Sequence, residues 1–195
     1  MLLMPSWPSI LTRGDPLARE RVGVQLRLRT DDDLDGCELL AREVHELDGY
    51  PPRFAHDLRS FVSASGALAA WVAACEGAIV GHVALQPTSS PEVMALAGEA
   101  TGRVTDGLGV VARLLVAPAH RRNGLGRTVL GVAAKAAHDQ GRWPVLDVAT
   151  HFDAAILLYE RSGWARAGLV EVRFVDDEPL AEFVYIGPAP GQLQP

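Results

Sequence analysis

LLVAPAHRRNGLGRTVLGVAAKAAHDQ, residues 114–140, is the stretch that decides the fold. It begins inside an apolar run from Val110 to Val116, whose β-branched residues and leucines predict a buried strand. Pro118 offers no backbone N–H to a ladder and ends that strand. A basic turn bearing two glycines follows: Arg121, Arg122, Asn123, Gly124, Leu125 and Gly126. Leu125, Val129, Val132, Ala133 and Ala136 then recur at helical spacing, so a helix starts inside or just after the turn.

Strand, glycine turn and helix in that order make an anion site. The first-turn amides of a helix have no internal partners, and the macrodipole adds partial positive charge there. Gly124 and Gly126 let the backbone approach a phosphate with no Cβ in the way. Arg121, Arg122 and Arg127 add formal charge around the mouth. The ligand predicted is a phosphate, and a diphosphate fits best. The dinucleotide fingerprint is incomplete, because Arg127, Thr128 and Val129 stand where its third glycine would fall. No Gly-Lys-Ser/Thr follows either, so the nucleotide-triphosphate loop is absent.

Arg121-x-x-Gly124-x-Gly126, preceded by Leu115, Val116, Ala117 and Pro118, resembles the acetyl-CoA signature of the GNAT superfamily of N-acetyltransferases. A second stretch supports the resemblance. PVLDVAT, residues 144–150, predicts a strand, and HFDAAILLYERSGW, residues 151–164, follows it. Its pattern Ala-Ile-x-Leu-Tyr-Glu-x-x-Gly-aromatic is similar to the other GNAT motif, at the usual distance downstream. The match is firm over roughly residues 108–165 and topological elsewhere.

The chain has 195 residues, 48% of them hydrophobic, with mean hydropathy +0.10, which predicts one globular domain with a sizeable core. A net charge of −6 argues against a nucleic-acid partner and makes the three arginines of the turn a local exception. Cys37 and Cys75 fit no metal or redox spacing and are expected as small buried residues of a reducing compartment. The first residues show no secretory pattern and no run reaches membrane-spanning length, so a cytoplasmic protein is expected, with neither metal nor membrane partner.

Working outward, residues 1–22 are an expected leader, 23–187 a single domain and 188–195 a frayed tail, with Trp7 free to tuck against a surface. Residues 24–29 alternate as a first strand. Thr30 or Asp31 caps a helix that Asp48 to Pro52 stops, and a second helix is expected from about Arg53 to Ser63. Residues 67–74 and 78–85 form a hairpin about Glu76-Gly77. Residues 86–105 read as a long connector, partly helical at most. After the two motifs come strands over 165–175 and 180–186.

The resemblance implies an α/β (α+β) GNAT fold: a mixed, mostly antiparallel central sheet with helices on both faces and a splay between its two central parallel strands. It implies acetyl-CoA as cofactor, with its arm paired to Leu114, Leu115 and Val116 and its diphosphate held by residues 121–127, namely Arg121, Arg122, Asn123, Gly124, Leu125, Gly126 and Arg127. Tyr159 falls at the tyrosine of the family's Leu-Tyr-Glu pattern and is the expected proton source for the departing thiolate. Phe152 stands where the family usually has asparagine. Asp153 or His151 takes that polar role, or an apolar contact replaces it, and Asp153 is also the expected N-cap of its helix. Tyr50, Phe54, His56 and Arg59 are candidate acceptor contacts. Arg113 implies a carboxylate on the acceptor if it faces the cleft. The strand carries no acid at the family's usual place, so the base stays open among Asp106, His82, Asp147, His120 and His151.

The reaction implied is transfer of acetyl to a primary amine of a small molecule, an amino acid or a protein N-terminus, by direct attack in a ternary complex of a monomer or homodimer. A catalytically idle acyl-CoA-binding regulatory module and a nucleotide-binding αβ domain are the competing readings.

Overall fold

The computed structural model describes residues 23–52, 57–173 and 178–192. The expected leader with Trp7, and the candidate contacts Phe54 and His56, lie outside these.

Among the described residues seven strands form one sheet in the order β1-β2-β3-β4-β5-β7-β6. They are β1 (Val24–Leu28), β2 (Ala69–Cys75), β3 (Ala78–Gln86), β4 (Leu108–Val116), β5 (Trp143–Ala149), β6 (Ala165–Val172) and β7 (Leu180–Ile186). Every neighbouring pair is antiparallel except β4 with β5. The turn between β2 and β3 puts Glu76 (φ 51°) and Gly77 (φ 82°) both in left-handed backbone. Such turns match the right-handed twist of the strands they join.

The β4–β5 pairing positions the site. It comprises three residue pairs, Leu108 with Trp143, Gly109 with Pro144 and Val110 with Val145. β4 continues to Val116 and β5 to Ala149 with no further pairing between them. The two parallel strands therefore start together and diverge toward their carboxyl ends, the expected splay.

Among the described residues five helices flank the sheet: α1 (Leu34–Asp48), α2 (Leu58–Ser63), α3 (Pro91–Thr101), α4 (Leu125–Asp139) and α5 (Asp153–Arg161). α1 and α4 bury Cys37, Leu40, Val44, Val129 and Ala133 in one cluster with Val83, Leu85, Leu115 and Leu146. α3 buries Val93, Met94 and Ala97 in a second cluster with Val110, Val145 and Val184. Each fully buried leucine or valine contributes roughly 1.5–3 kcal/mol over leaving it exposed.

A 3₁₀ turn over Asp31–Asp33 leads into α1. The Asp33 carboxylate accepts from the Thr30 N–H (2.7 Å) and hydroxyl (3.0 Å), while Arg27 donates twice to it at 2.6 Å. These bonds hold its carboxyl well below the ordinary range. The described part of the second helix starts at Leu58, with Asp57 capping the Ser60 N–H at 3.0 Å.

Three expectations need correction. Residues 86–105 are not mainly a connector, because α3 takes eleven of them, with Ser90 as N-cap, Pro91 at its first turn and Gly102 (φ 67°) closing it. Asp153 is the first helical residue of α5, and Phe152 is the N-cap. The tail is held at its start, where Pro188 is buried and its carbonyl accepts from His138 Nε2 (3.0 Å), next to the end of the domain at Gly187, also buried. The Gly187 N–H donates to the Pro144 carbonyl (2.8 Å), and the Trp143 indole donates to the Gly187 carbonyl (3.1 Å).

Candidate active site

The motif turn follows the carboxyl end of β4, where that strand has parted from β5. Gly124 (φ 76°) is the N-cap of α4 in left-handed backbone, and its carbonyl accepts from both the N–H and the hydroxyl of Thr128 at 3.1 Å. The first intrahelical bond thus begins at Thr128. Among the described residues, the N–H groups of Leu125, Gly126 and Arg127 donate to no protein acceptor. A cradle of unpartnered amides at a helix N-terminus fits an anion such as a diphosphate.

The three arginines divide their work. Arg121 spends its guanidinium on Asp48 at the end of α1 (3.1 and 2.5 Å) and on the Val116 carbonyl (3.0 Å). It anchors the turn to α1 and β4. Arg122 (φ 62°) is exposed. Arg127 donates to the Arg161 carbonyl at the end of α5 (2.6 Å). Beside it lies an open hollow of about 380 Å³ lined by Arg127, Ala154, Leu157, Leu158, Arg161 and Ser162. Gly126 serves packing as well: a Cβ there would sit 3.2 Å from Leu158 Cδ2 and 3.7 Å from Val116 Cγ2. The glycine spacing of the turn therefore also sets how closely α4 meets α5.

Tyr159 projects from α5 into the core beside the splay. It is buried, with its ring 5.9 Å from Tyr185 and 6.2 Å from Trp164. Burial pushes its phenol well above the ordinary value, with the charges of Tyr50 and Asp147 adding to the effect, so it stays protonated. Glu160 faces away, accepting from the Tyr185 hydroxyl (3.0 Å) and Arg166 (2.6 Å).

Tyr50, in the segment after α1, lies at the opening. Its ring stands edge-on to Phe61 of α2 and to Phe152, each at 5.6 Å. Burial raises its phenol, and it feels both Asp147 on β5 and Arg113 on β4. An apolar contact with Tyr50 thus stands at the position where asparagine was usual. His151 packs against Phe152 at 4.3 Å.

Of the candidate bases, Asp106 is exposed in a 3₁₀ turn ahead of β4, at the closed end of the splay. His120 sits in the turn after β4. Asp147 lies past the last β4–β5 pair. Burial raises its carboxyl, and the Ser89 hydroxyl donates to it at 2.9 Å. Leu146 pairs with Tyr185, whose ring neighbours Tyr159, whereas Asp147 pairs with Val184 of the α3 cluster, so Asp147 lies on the opposite face. A carboxylate and a phenol thus flank the opening from opposite sides.

Arg113 sits at a bulge. His82 pairs with Leu115 and Ala84 with Ala112, so Arg113 and Leu114 together oppose Val83, and Arg113 takes φ 56°. Its guanidinium lies over Phe61, 5.4 Å from the ring centre. Leu114, Leu115 and Val116 lie on the stretch of β4 that has left β5. Arg59 is paired with Asp35 and Glu38 on α1. Ser89, Phe61, Arg29 and Asp48 join the site without having been singled out in the sequence. Their signal lies in strand register and helix packing, which no local pattern carries.

Among the described residues no group of three or more His, Cys, Asp or Glu could hold a metal, and no helix is long and apolar enough to cross a membrane. The Acetyltransferase (GNAT) family matches residues 35–164. No curated protein matches the sequence. Solved structures share the fold. The yncA protein of Salmonella typhimurium, solved with its cofactor acetyl-CoA, superposes with TM-score 0.61 at 16% identity, over 84% of this chain and 92% of that one. Arabidopsis thaliana NAA60 in complex with acetyl-CoA gives 0.62 at 19%, over 84% and 97%. The ribosomal-protein-S18-alanine N-acetyltransferase of Escherichia coli gives 0.59 at 18%, over 88% and 99%.

Proposed function

The chain belongs to the GNAT acetyltransferase family, and from that premise we propose that it acetylates a primary amine by direct attack within a ternary complex, as one domain over residues 23–187. Acetyl-CoA supplies the activated acetyl group. The observation that carries the reading is the splay itself, with unpartnered helix amides at one end and a buried phenol and a buried carboxylate on opposite faces.

In this reading Leu125, Gly126 and Arg127 bind the diphosphate through their main-chain N–H groups. Arg122 and Asn123 border it, and Gly124 supplies the left-handed turn that aims the amides outward. Arg121 holds the turn in place through Asp48. Leu114, Leu115 and Val116 offer the free edge of β4 to an extended arm, and an amide there would steady the thioester oxygen by roughly 3 kcal/mol. Phe152 and Asp153 at the start of α5 border that arm.

Asp147 takes the proton from the acceptor ammonium, its raised affinity for a proton suiting it to that step. Tyr159, held protonated by burial, donates to the leaving sulfur. Tyr50 orders the acceptor side of the opening.

Release of CoA thiol from acetyl-CoA, measured across a panel of amines, tests the reading. Release should require an amine. Tyr159→Phe and Asp147→Asn should each lower kcat by roughly 10²–10⁴ with the fold intact. Amine-independent CoA binding without release in any mixture would instead favour the idle acyl-CoA-binding module.

A further inference from the structure

Four side-chain nitrogens on and beside β1, β3 and β4 are buried with no hydrogen-bond partner: Arg29 Nε, His82 Nε2, Gln86 Nε2 and Arg113 Nη1. Leaving a buried polar group unpaired costs roughly 1–3 kcal/mol, so a cluster of them marks a place where something else binds. His82 and Gln86 share one face of β3, Arg29 lies just past β1, and Arg113 sits at the β4 bulge beside them. Along β3 His82 and Gln86 alternate with Val83 and Leu85, so the two pairs lie on opposite sides of the strand. Arg113 rides the β4 bulge opposite Val83. Arg29 follows β1, with its N–H bonded to the Ala70 carbonyl (2.9 Å) and its guanidinium to the Val62 carbonyl. The His82 ring meets the Arg113 carbonyl, the charge of Arg29 acts on Arg113, and both arginines act on His82, which places the three in one neighbourhood.

The polarity of each atom can be assigned. His82 is fully buried, and its Nδ1 lies 2.9 Å from the Arg113 carbonyl oxygen. A carbonyl accepts only, so Nδ1 carries the hydrogen. Burial lowers the ring's proton affinity and keeps it neutral, which leaves Nε2 with a lone pair. Arg29 Nε and Arg113 Nη1 are donors with fixed charge. The cluster thus presents two cationic donors, one neutral donor in Gln86 Nε2 and one neutral acceptor, with His82 and Gln86 on the same sheet face as Asp147.

We propose that the acceptor is an amine bearing a carboxylate, as a free amino acid is, with the carboxylate held by Arg113 and Arg29 and an N–H of the same molecule accepted by His82. This rests on the acetyl-transfer reading above and names the substrate class of that site. Planar guanidinium groups suit a carboxylate. The β4 bulge is what turns Arg113 toward it, since an unbroken ladder would have fixed the side chain by simple alternation.

The test compares each amino acid with its carboxamide and with its decarboxylated amine, reading kcat/KM from thiol release. The carboxylate form should be preferred by about tenfold or more, because a site built to pair a buried group rejects an analogue lacking it. Arg113→Gln should bring that ratio close to one, and Arg113→Lys should keep part of it. Arg29→Gln serves if circular dichroism shows that Arg113→Gln does not fold. Equal turnover of carboxylates and carboxamides leaves acetyl transfer standing and overturns the proposal, as does a ratio unchanged in Arg113→Gln. If no amine is acetylated while CoA still binds, the transfer reading fails. Calorimetry with the same amino acids then decides this one, and absence of binding by any of them overturns it as well.

Discussion

His82 shows how one side chain ties the site to stability. Burial pushes its pKa down to about 4 from 6.5, so the native protein holds the ring neutral over a range where the unfolded chain binds a proton. Stability is therefore complete above about pH 6.5 and falls as the pH drops toward 4, by about 3 kcal/mol. Asp33 acts in a lower window: its carboxyl is depressed, so its contribution is lost only as pH falls below its ordinary 3.8. Asp147 has the opposite sign, since its raised carboxyl contributes stability that is lost as pH rises through its folded value. Urea unfolding at pH 7 and pH 4.5 checks the His82 window. The wild type should lose stability between the two, and His82→Gln should show a flatter profile; an equal loss in both would remove His82 as the cause. None of this was legible from His82 as a letter in the chain. Its burial follows from packing between Val72 and Leu115 on the neighbouring strands, and its tautomer from the carbonyl of Arg113, thirty-one residues away.

At the scale of elements, the strand–turn–helix unit was legible because its signals are local. Pro118 stops β4, Gly124 supplies the left-handed cap, and the apolar stripe of α4 repeats at helical period. α3 was obscured for a physical reason. It buries only Val93, Met94 and Ala97 and carries alanines and Gly98 around them, so its stripe is faint, although Ser90, Pro91 and Gly102 mark its two ends. The β4 bulge left no local signal, because it exists only relative to Val83 on the partner strand. Gly126 was read for its approach to a ligand, yet its nearest neighbour is Leu158 of α5. Gly126→Val should force α4 from α5 and destabilise the protein by about 1–3 kcal/mol. Adding Leu158→Ala opens the space the new methyls need, so the double variant should recover part of the loss, with a coupling of roughly 0.5–3 kcal/mol. Thermal unfolding of the four proteins measures that coupling. Simple addition of the two losses would mean the Gly126 contact does not set the helix spacing.

For the whole molecule, the question is how an acidic protein of net charge −6 holds a polyanion. Arg121 is neutralised by Asp48, so part of the positive charge counted in the sequence is spent inside the fold. What remains is short-ranged: the unpartnered amides of α4, exposed Arg122, and Arg127 and Arg161 around the neighbouring hollow. Charges at the surface are screened beyond about 8 Å at physiological ionic strength, whereas amide hydrogen bonds to phosphate are contacts that salt weakens little. CoA affinity should therefore depend only modestly on salt and survive Arg122→Ala, but drop sharply when Gly124→Val distorts the left-handed cap. Binding to the native state alone stabilises it by about 2.7 kcal/mol at a hundredfold excess over Kd. Thermal scans with CoA, NAD and ATP read this directly. A shift with CoA alone, held between low and moderate salt, supports recognition by the helix amides. Equal shifts with all three ligands that vanish with salt would mean that the turn attracts phosphate by its arginines alone.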